Sequence, residues 1–379
     1  MKTLLLLLTA GIIELLGPGS RQVSRNQQAE RQDGTGQFIE VAMFPSPGVS
    51  GFSKVQVWTS KRDAGKYTRT MLSEKELQLP DPQKIAKELY DFPFPNPASA
   101  NNAALENRAV VLCGTSDYTL RVLNVQAMAI GKSIPIPALA KNIAIRPASN
   151  EAWVSHSGIS NQISISDISA ERVIANISLR LNQAALPVAL LFSNSGRTAY
   201  VVVRNADVSS DRGVVLVYDT ATRVLKTTVS LGSTVPQTAI SSPDGQTIYI
   251  AGTSVTESVA TVPSITNFDL LTNTLGTPAT SLTQVPSELA IHPNGTRLYW
   301  PVPQLALLEE FDVQSRTVVR RITLPRPHAT QGLDLSPIGD LIMIRDSGGQ
   351  QAFHLNTETG EILDTQAIPA GPGVMLFRP

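Results

Sequence analysis

The chain is patterned as short strands of apolar or alternating residues, separated by tight polar turns. The stretch from Pro236 to Leu282 shows the unit best: an apolar strand, a Pro-Asp-Gly turn, a strand with Tyr249, a strand ending in Asp269, and one further strand. Alternation with period two is typical of half-buried strands. Asp followed by Gly permits the positive φ of a tight hairpin, and the preceding Pro ends a strand without needing a ladder hydrogen bond.

This unit recurs along most of the chain. The apolar or aromatic residue after the turn defines one register, at Val110, Trp153, Tyr200, Tyr249, Tyr299 and Met343. The polar residue that ends the third strand defines a second, at Asn124, Asp167, Asp219, Asp269, Asp312 and Asn356. Both registers repeat every 43 to 52 residues. A period of this size with several short strands per unit predicts an all-β fold, a β-propeller of four-stranded blades.

The two ends of the chain each hold part of one more unit. GQFIEVAMF, SKVQVWTS and KYTRTMLSEKE resemble second, third and fourth strands that lack a first strand. The C-terminal segment 371–379, GPGVMLFRP, resembles a first strand. We therefore predict seven blades, with the ring closed by strands from both termini, and keep six blades as the alternative. The first strand of the second blade is expected around Leu89–Pro95, in a proline-rich join.

The N-terminus reads as a leader. An apolar stretch follows Lys2 and ends at the small residues Gly17 and Gly19, which have the spacing that a signal peptidase accepts. The stretch is short for a transmembrane helix, so no membrane span is expected. The expected division of the chain is a signal peptide at 1–20, a flexible lead-in at 21–36 and a single propeller domain at 37–379. This interpretation places the protein in the periplasm or outside the cell, with an uncleaved amphipathic helix as the alternative for the leader.

Composition narrows the range of partners. Lys plus Arg and Asp plus Glu both number 31, which gives a formal net charge of 0. Nucleic-acid binding needs a surplus of cations to replace counterions, so no nucleic-acid partner is expected. The single cysteine, Cys113, lies in the apolar run AVVLCG and is interpreted as a buried packing residue. An intrachain disulfide is therefore not possible.

The repeats resemble those of the YVTN family of propellers. SSPDGQTIYIAG and VVLVYDTATRVLKTTVSLG match that family's unit, which has a Ser-Pro-Asp-Gly turn, a Tyr-Val strand and a strand ending in Asp-Thr. The resemblance covers about Ala109 to Pro379 and implies a seven-bladed propeller close to the lactonase-like and surface-layer-type members. The four-residue signature itself is altered, as in AYVVVRN and LYWPVPQ. The motif is specific for a fold and leaves activity open.

Few residues carry candidate chemistry. The candidate catalytic residues are His156, His328, Glu288 and Asp334, which lie near strand ends or could face the central channel, as could Glu257. A packing role and a hydrated pore are the alternatives. His292 is interpreted as a turn residue, His354 as a packing residue, and Arg320 with Arg321 as a charge run on an outer strand. The sequence has no His-x-His, Glu-x-x-His or clustered Cys/His spacing, so no metal and no cofactor are predicted.

Two functions follow. Well-formed repeats without a Gly-x-Ser-x-Gly elbow, P-loop or dinucleotide fingerprint favour an exported, non-catalytic, monomeric propeller. It would act as a binding or cell-surface scaffold, with a protein or carbohydrate ligand at one propeller face. The alternative, implied by the family resemblance, is a lactonase-like hydrolase with its site at the channel mouth and a general base such as His156 or His328. A base within hydrogen-bond reach of an Arg or a second acid at one mouth would favour the hydrolase.

Overall fold

A computed structural model of the chain describes residues 36–46, 53–63, 66–79, 82–85, 108–113, 118–124, 127–181, 185–205, 212–255, 261–325, 330–346, 348–368 and 374–378. Regular structure within these ranges is β-strand, apart from one turn of 3-10 helix at Pro303–Leu305. No helix in the described ranges has the length and apolar character that a membrane crossing requires. The expected leader and lead-in lie outside the described residues, except for Gly36, which begins the first strand.

Twenty-eight strands occupy the described residues. The first seven are β1 (Gly36–Pro45), β2 (Ser53–Asp63), β3 (Lys66–Leu77), β4 (Pro82–Ile85), β5 (Arg108–Cys113), β6 (Thr119–Asn124) and β7 (Ala129–Pro135). The next eight are β8 (Ala140–Ile145), β9 (Glu151–His156), β10 (Gln162–Asp167), β11 (Arg172–Ser178), β12 (Leu186–Phe192), β13 (Thr198–Arg204), β14 (Gly213–Asp219) and β15 (Val224–Ser230). Then come β16 (Thr234–Ser241), β17 (Thr247–Val255), β18 (Thr261–Asp269), β19 (Thr274–Leu275), β20 (Ala290–Ile291), β21 (Arg297–Val302), β22 (Leu307–Asp312) and β23 (Thr317–Thr323). The last five are β24 (Thr330–Leu335), β25 (Leu341–Asp346), β26 (Gln351–Asn356), β27 (Ile362–Ala367) and β28 (Val374–Arg378).

The strands form seven four-stranded antiparallel sheets, which are the blades of a seven-bladed β-propeller. Blades one to seven have the strand orders β28-β1-β2-β3, β4-β5-β6-β7, β8-β9-β10-β11, β12-β13-β14-β15, β16-β17-β18-β19, β20-β21-β22-β23 and β24-β25-β26-β27. First strands contact one another around the ring, in the pairs β28–β4, β4–β8, β8–β12, β12–β16, β20–β24 and β24–β28. The first strand of each blade is therefore innermost and the fourth is outermost.

The ring closes as the sequence predicts. Strand β28 pairs antiparallel with β1, from Met43 opposite Val374 to Ile39 opposite Arg378. The first blade is thus built from both ends of the chain, and the six-bladed alternative is wrong.

One predicted strand position is also wrong. The first strand of the second blade is β4, Pro82–Ile85, and not Leu89–Pro95, which lies outside the described residues. Pro82 is tolerated at the first position of a strand. Pro93 and Pro95, in contrast, would remove ladder donors from a strand placed at Leu89–Pro95.

Apolar side chains between neighbouring blades form the core. Trp153 of blade three is buried and meets Phe192 of blade four edge-on, with ring centroids 5.4 Å apart. Val201 on the next strand of blade four belongs to the same buried cluster. Each fully buried side chain of this kind contributes roughly 1.5–3 kcal/mol, so packing between blades stabilises the ring.

Turns between first and second strands also pack from blade to blade. Gly196 has φ +65°, and a Cβ built there would lie 2.4 Å from the carbonyl oxygen of Pro147 in the preceding blade. Its own carbonyl accepts a hydrogen bond of 2.6 Å from the Thr220 hydroxyl. Gly339 packs in the same way on His292. The turn glycine of the repeat is therefore required both by its backbone conformation and by close approach.

In blades two to seven the polar residue at the end of the third strand caps the next turn, as predicted. The Asp219 carboxylate accepts hydrogen bonds from the backbone N–H groups of Ala221 at 3.0 Å and Thr222 at 2.9 Å. Equivalent bonds form at Asp167, Asp269, Asp312 and Asn356. This Asx turn fixes the third-to-fourth-strand hairpin.

A buried charged cluster joins blade one to blade seven at the closure. Glu40 on β1 is 1% exposed, and its carboxylate lies 2.6 Å from Arg69 Nε and 3.2 Å from His354 Nε2 of blade seven. It also accepts hydrogen bonds from the hydroxyls of Tyr67, at 2.6 Å, and Ser60. Burial by itself would raise the pKa of Glu40, but the hydrogen bond and charge of His354, followed by the charge of Arg69, lower it to about 2. His354 is a packing residue, as predicted, and it also contacts this carboxylate.

The turn packing is tested by two alanine substitutions at positive-φ glycines. Gly232 has φ +56° but no heavy atom within 4 Å of a built Cβ. Gly232→Ala should therefore cost only the left-handed backbone strain of about 1–2 kcal/mol. Gly196→Ala should cost a further 1–3 kcal/mol, roughly, because the methyl group meets the Pro147 carbonyl. Chemical denaturation of both variants measures the difference, and equal losses would refute the close packing.

The closure cluster is tested by pH. Because the folded pKa of Glu40 is about 2 against an ordinary value of 4.5, its stabilisation is complete above about pH 4.5 and is lost as the pH falls towards 2. That difference corresponds to about 3 kcal/mol. Glu40→Gln should therefore destabilise the protein at pH 7 and lose less stability than the wild type on acidification.

The control for this experiment is Glu74→Gln. Glu74 pairs with Lys54 at 3.1 Å on the exposed side of the same blade, where such pairs contribute about 0–1 kcal/mol. If the unfolding free energy of Glu40→Gln has the same pH dependence as that of the wild type, the loss of stability in acid does not come from Glu40.

Candidate functional site

One position of the repeat distinguishes the blades from one another. It lies on the third strand, opposite the apolar or aromatic register residue of the second strand, such as Tyr249 or Tyr299. Blades one to seven have Val57, Val122, Ile165, Val217, Asn267, Glu310 and His354 there. In the first four blades the side chain is apolar and buried. The fold therefore does not need a charge at this position, and Glu310 is a departure from the pattern.

Glu310 lies in a pocket of about 440 Å³ between blades six and seven. Residues of two blades line it. They are His292, Asn294, Thr296, Arg297, Tyr299, Glu310, Val319 and Arg320 of blade six and Thr357 and Glu358 of blade seven. They come from the turn after the first strand of blade six, from its three outer strands, and from the turn after the third strand of blade seven. The pocket therefore opens on the face that carries these turns.

Two arginines hold the Glu310 carboxylate. Arg297 Nε donates to Glu310 Oε1 at 3.1 Å and Arg320 Nε donates to Glu310 Oε2 at 2.6 Å, while Glu310 is 8% exposed. Arg320 also donates to the carbonyls of Thr357 and of Glu358, the latter at 2.6 Å. Arg320 and Arg321 lie on an outermost strand, as predicted, but both bind buried carboxylates; Arg321 Nε lies 2.9 Å from Glu309.

Tyr299 presents a hydroxyl among these charges. The residue is 2% exposed and lines the pocket. Burial, and then the charge of Glu310, raise the pKa of Tyr299 to about 12, against the opposing effect of Arg320 and Arg297. Tyr299 is therefore a neutral hydroxyl at physiological pH, and no described residue forms a hydrogen bond with it.

His292 lies in the turn that begins this pocket, as predicted. Its Nδ1 accepts a hydrogen bond from the Asn294 N–H at 3.2 Å, and its ring packs on Gly339 of blade seven. Burial lowers the pKa of His292, so the ring is neutral at physiological pH. Other blades have serine in this place, at Ser193, Ser242 and Ser336.

The structure places the predicted candidate His156 inside blade three. It is the last residue of β9 and is fully buried. Its Nε2 lies 2.8 Å from the Ser164 hydroxyl and its Nδ1 lies 3.2 Å from the Ala138 carbonyl. Burial lowers the pKa of His156 to about 4. The other histidine candidate, His328, and Glu257 lie outside the described residues.

Glu288 of blade six lies close to the innermost strand of blade seven, which carries Asp334. Glu288 Oε2 accepts a hydrogen bond of 2.9 Å from the Gly332 N–H, on the strand that carries Asp334. Arg345 lies beside them and is buried; burial lowers the pKa of Arg345, while the charges of Glu288 and Asp346 oppose that effect. The structure thus brings Glu288 close to β24 and leaves His156 on another blade.

Sequence reasoning missed Arg297, Tyr299, Glu310 and Arg345. Glu310 and Arg345 are recognised as departures from the repeat, whereas Tyr299 occupies the aromatic position of the repeat, as Tyr200 and Tyr249 do. Arg345 stands where the other blades have Met43, Leu112, Ser155, Val202, Ala251 and Pro301. Within the described part of the chain, no group of three or more His, Cys, Asp or Glu side chains could hold a metal ion.

Comparison with known proteins supports the fold. No protein-family model and no curated protein matches the chain. Among solved structures, a chain of Kuenenia stuttgartiensis hydrazine synthase is similar, with a TM-score of 0.61 and 15% identity, over 80% of this chain and 92% of that chain. As many as 1415 solved chains match, so the likeness shows the seven-bladed propeller and does not identify an activity.

Proposed function

We propose that this protein is a non-catalytic propeller that binds a small polar ligand in the pocket between blades six and seven, as an exported or cell-surface scaffold. The observation that carries the proposal is the replacement of a buried apolar residue by Glu310, held by Arg297 and Arg320. Four other blades fill the same position with Val or Ile.

Stability alone does not account for this replacement. Taking the Glu310 carboxylate out of water is costly, although Arg297 and Arg320 stay 33% and 31% exposed beside it. Replacing a buried ion pair by apolar packing is often neutral or stabilising. Natural chains depart from their own consistent pattern mainly at functional sites. Glu310 and its arginines therefore support a role in recognition, in a pocket within the size range of ligand sites.

The protonation states in the pocket favour binding over catalysis. Glu310 is engaged by two arginines, His292 Nδ1 already accepts a hydrogen bond, and the pKa of Tyr299 is about 12. A general base needs a free lone pair and a pKa near the working pH. None of these three groups combines both properties.

Export and kinship with YVTN-type propellers belong to the proposal. Export is supported by the apolar leader at 1–20 and kinship by the turn and strand motifs quoted above. The hydrolase alternative has one observation in its favour, the proximity of Glu288, Arg345 and Asp346 on the inner side of blades six and seven.

The proposal is tested by blocking the pocket. Val319 lines the pocket and is 49% exposed, and Val224 occupies the outermost strand of blade four and is 58% exposed. We expect ligand-observed NMR with a library of small polar fragments to detect binders of the wild-type protein. Val319→Trp should abolish their signals because the indole fills the pocket entrance, and Val224→Trp should retain them.

Binding that survives Val319→Trp, or a library with no binder, would overturn the proposed site. Turnover of a lactone panel by the wild-type protein, removed by Glu288→Gln, would favour the hydrolase instead. Thermal melts of all variants establish that each remains folded.

A further inference from the structure

We infer that the ligand of the pocket between blades six and seven is a neutral, polyhydroxylated molecule of the saccharide class; this inference rests on the function proposed above. Three observations lead to it: the balance of charges, the hydrogen-bonding groups left over, and one exposed apolar side chain.

The charges in the pocket neutralise one another. Arg297 binds Glu310 and Asp312, and Arg320 binds Glu310 together with two backbone carbonyls. An anionic ligand would have to displace Glu310 from these arginines and would face the exposed carboxylate of Glu358 at the rim. A cationic ligand would approach two guanidinium groups, and only the Glu358 carboxylate at the rim would favour it. The arrangement thus disfavours ligands of either charge, since like charges in close approach are destabilising.

The remaining hydrogen-bonding groups suit hydroxyls. The Tyr299 hydroxyl can both donate and accept. The Asn294 side-chain oxygen accepts hydrogen bonds from the Thr296 N–H at 3.0 Å and from its hydroxyl at 2.8 Å, and the same side chain interacts with His292. The amide NH₂ is the part of Asn294 that can donate to a ligand. A sugar hydroxyl also donates and accepts, so it can satisfy both kinds of group within one small ring.

Val319 supplies the apolar part of the pocket. It is 49% exposed and stands beside Arg320 on the outermost strand of blade six. A pyranose ring has an apolar C–H face and a polar edge. With Val319 against the C–H face, the hydroxyl edge can reach Tyr299 and Asn294. The volume of about 440 Å³ suits a ligand of one or two rings.

The test is a titration of the full chain with matched sugars by calorimetry. The neutral set is glucose, galactose, mannose, N-acetylglucosamine and their disaccharides; glucuronate and glucose 6-phosphate represent anions, and glucosamine represents cations. We expect at least one neutral sugar to bind. Tyr299→Phe should weaken its affinity about tenfold, as expected for one lost hydrogen bond.

Tyr249→Phe is the matched control. Tyr249 occupies the same register position in blade five, is also buried, and does not line the pocket. The Tyr249→Phe variant should bind the sugar with the affinity of the wild-type protein. Affinity for a neutral ligand should also change little, by less than about twofold, between low salt and 1 M salt, where the screening length is about 3 Å.

The outcomes separate the ligand class from the site. Charged sugars that bind in preference, and lose affinity in Tyr299→Phe, would overturn the class and leave the pocket standing. A neutral sugar whose affinity is unchanged in Tyr299→Phe and in Val319→Trp binds elsewhere. That result would overturn the proposed site and the ligand class inferred for it. If no sugar binds, the class is wrong, and the fragment experiment decides separately whether the pocket is a ligand site.

Discussion

Closure of the ring depends on the antiparallel pairing of β28 with β1. Without it, the inner strand of blade one is missing, β4 and β24 lose a neighbour, and unpaired strand edges are exposed. The carboxylate of Glu40 reinforces the pairing by contacting Arg69 on its own blade and His354 on blade seven. Because this pairing closes the ring, each of the other six blades has a neighbouring blade on both sides.

Two polar departures from the repeat have opposite character. Around Glu40 the partners close over the charge, and Glu40 and His354 are essentially inaccessible. Around Glu310 the arginines lie partly at the surface, and a pocket remains between the blades. A sealed charge cluster fixes which blades meet. An open one offers its neighbouring groups to a ligand, and this contrast assigns the first to assembly and the second to recognition.

Local pattern predicts the fold well because strands, turn glycines and capping aspartates are determined within one unit. The blade count, the closure by the C-terminal strand Val374–Arg378 and the Asx turns all followed from the repeat. The first strand of blade two was misplaced, since only four residues form it and a long join follows. Side-chain partners are harder to predict, because Glu40 and His354 are 314 positions apart. Glu310 was nevertheless visible in the sequence, two positions before Asp312, in an alignment of third strands.

The most direct test transfers the residues of blade four to blade six. In blade four the equivalents of Arg297, Glu310 and Arg320 are Thr198, Val217 and Thr227. We expect the triple variant Arg297→Thr, Glu310→Val, Arg320→Thr to melt at the wild-type temperature or above and to lose binding of the fragments that the wild-type protein binds. A variant that unfolds or aggregates would show that the charges serve the fold, and one that folds and still binds would show that the pocket is not the site.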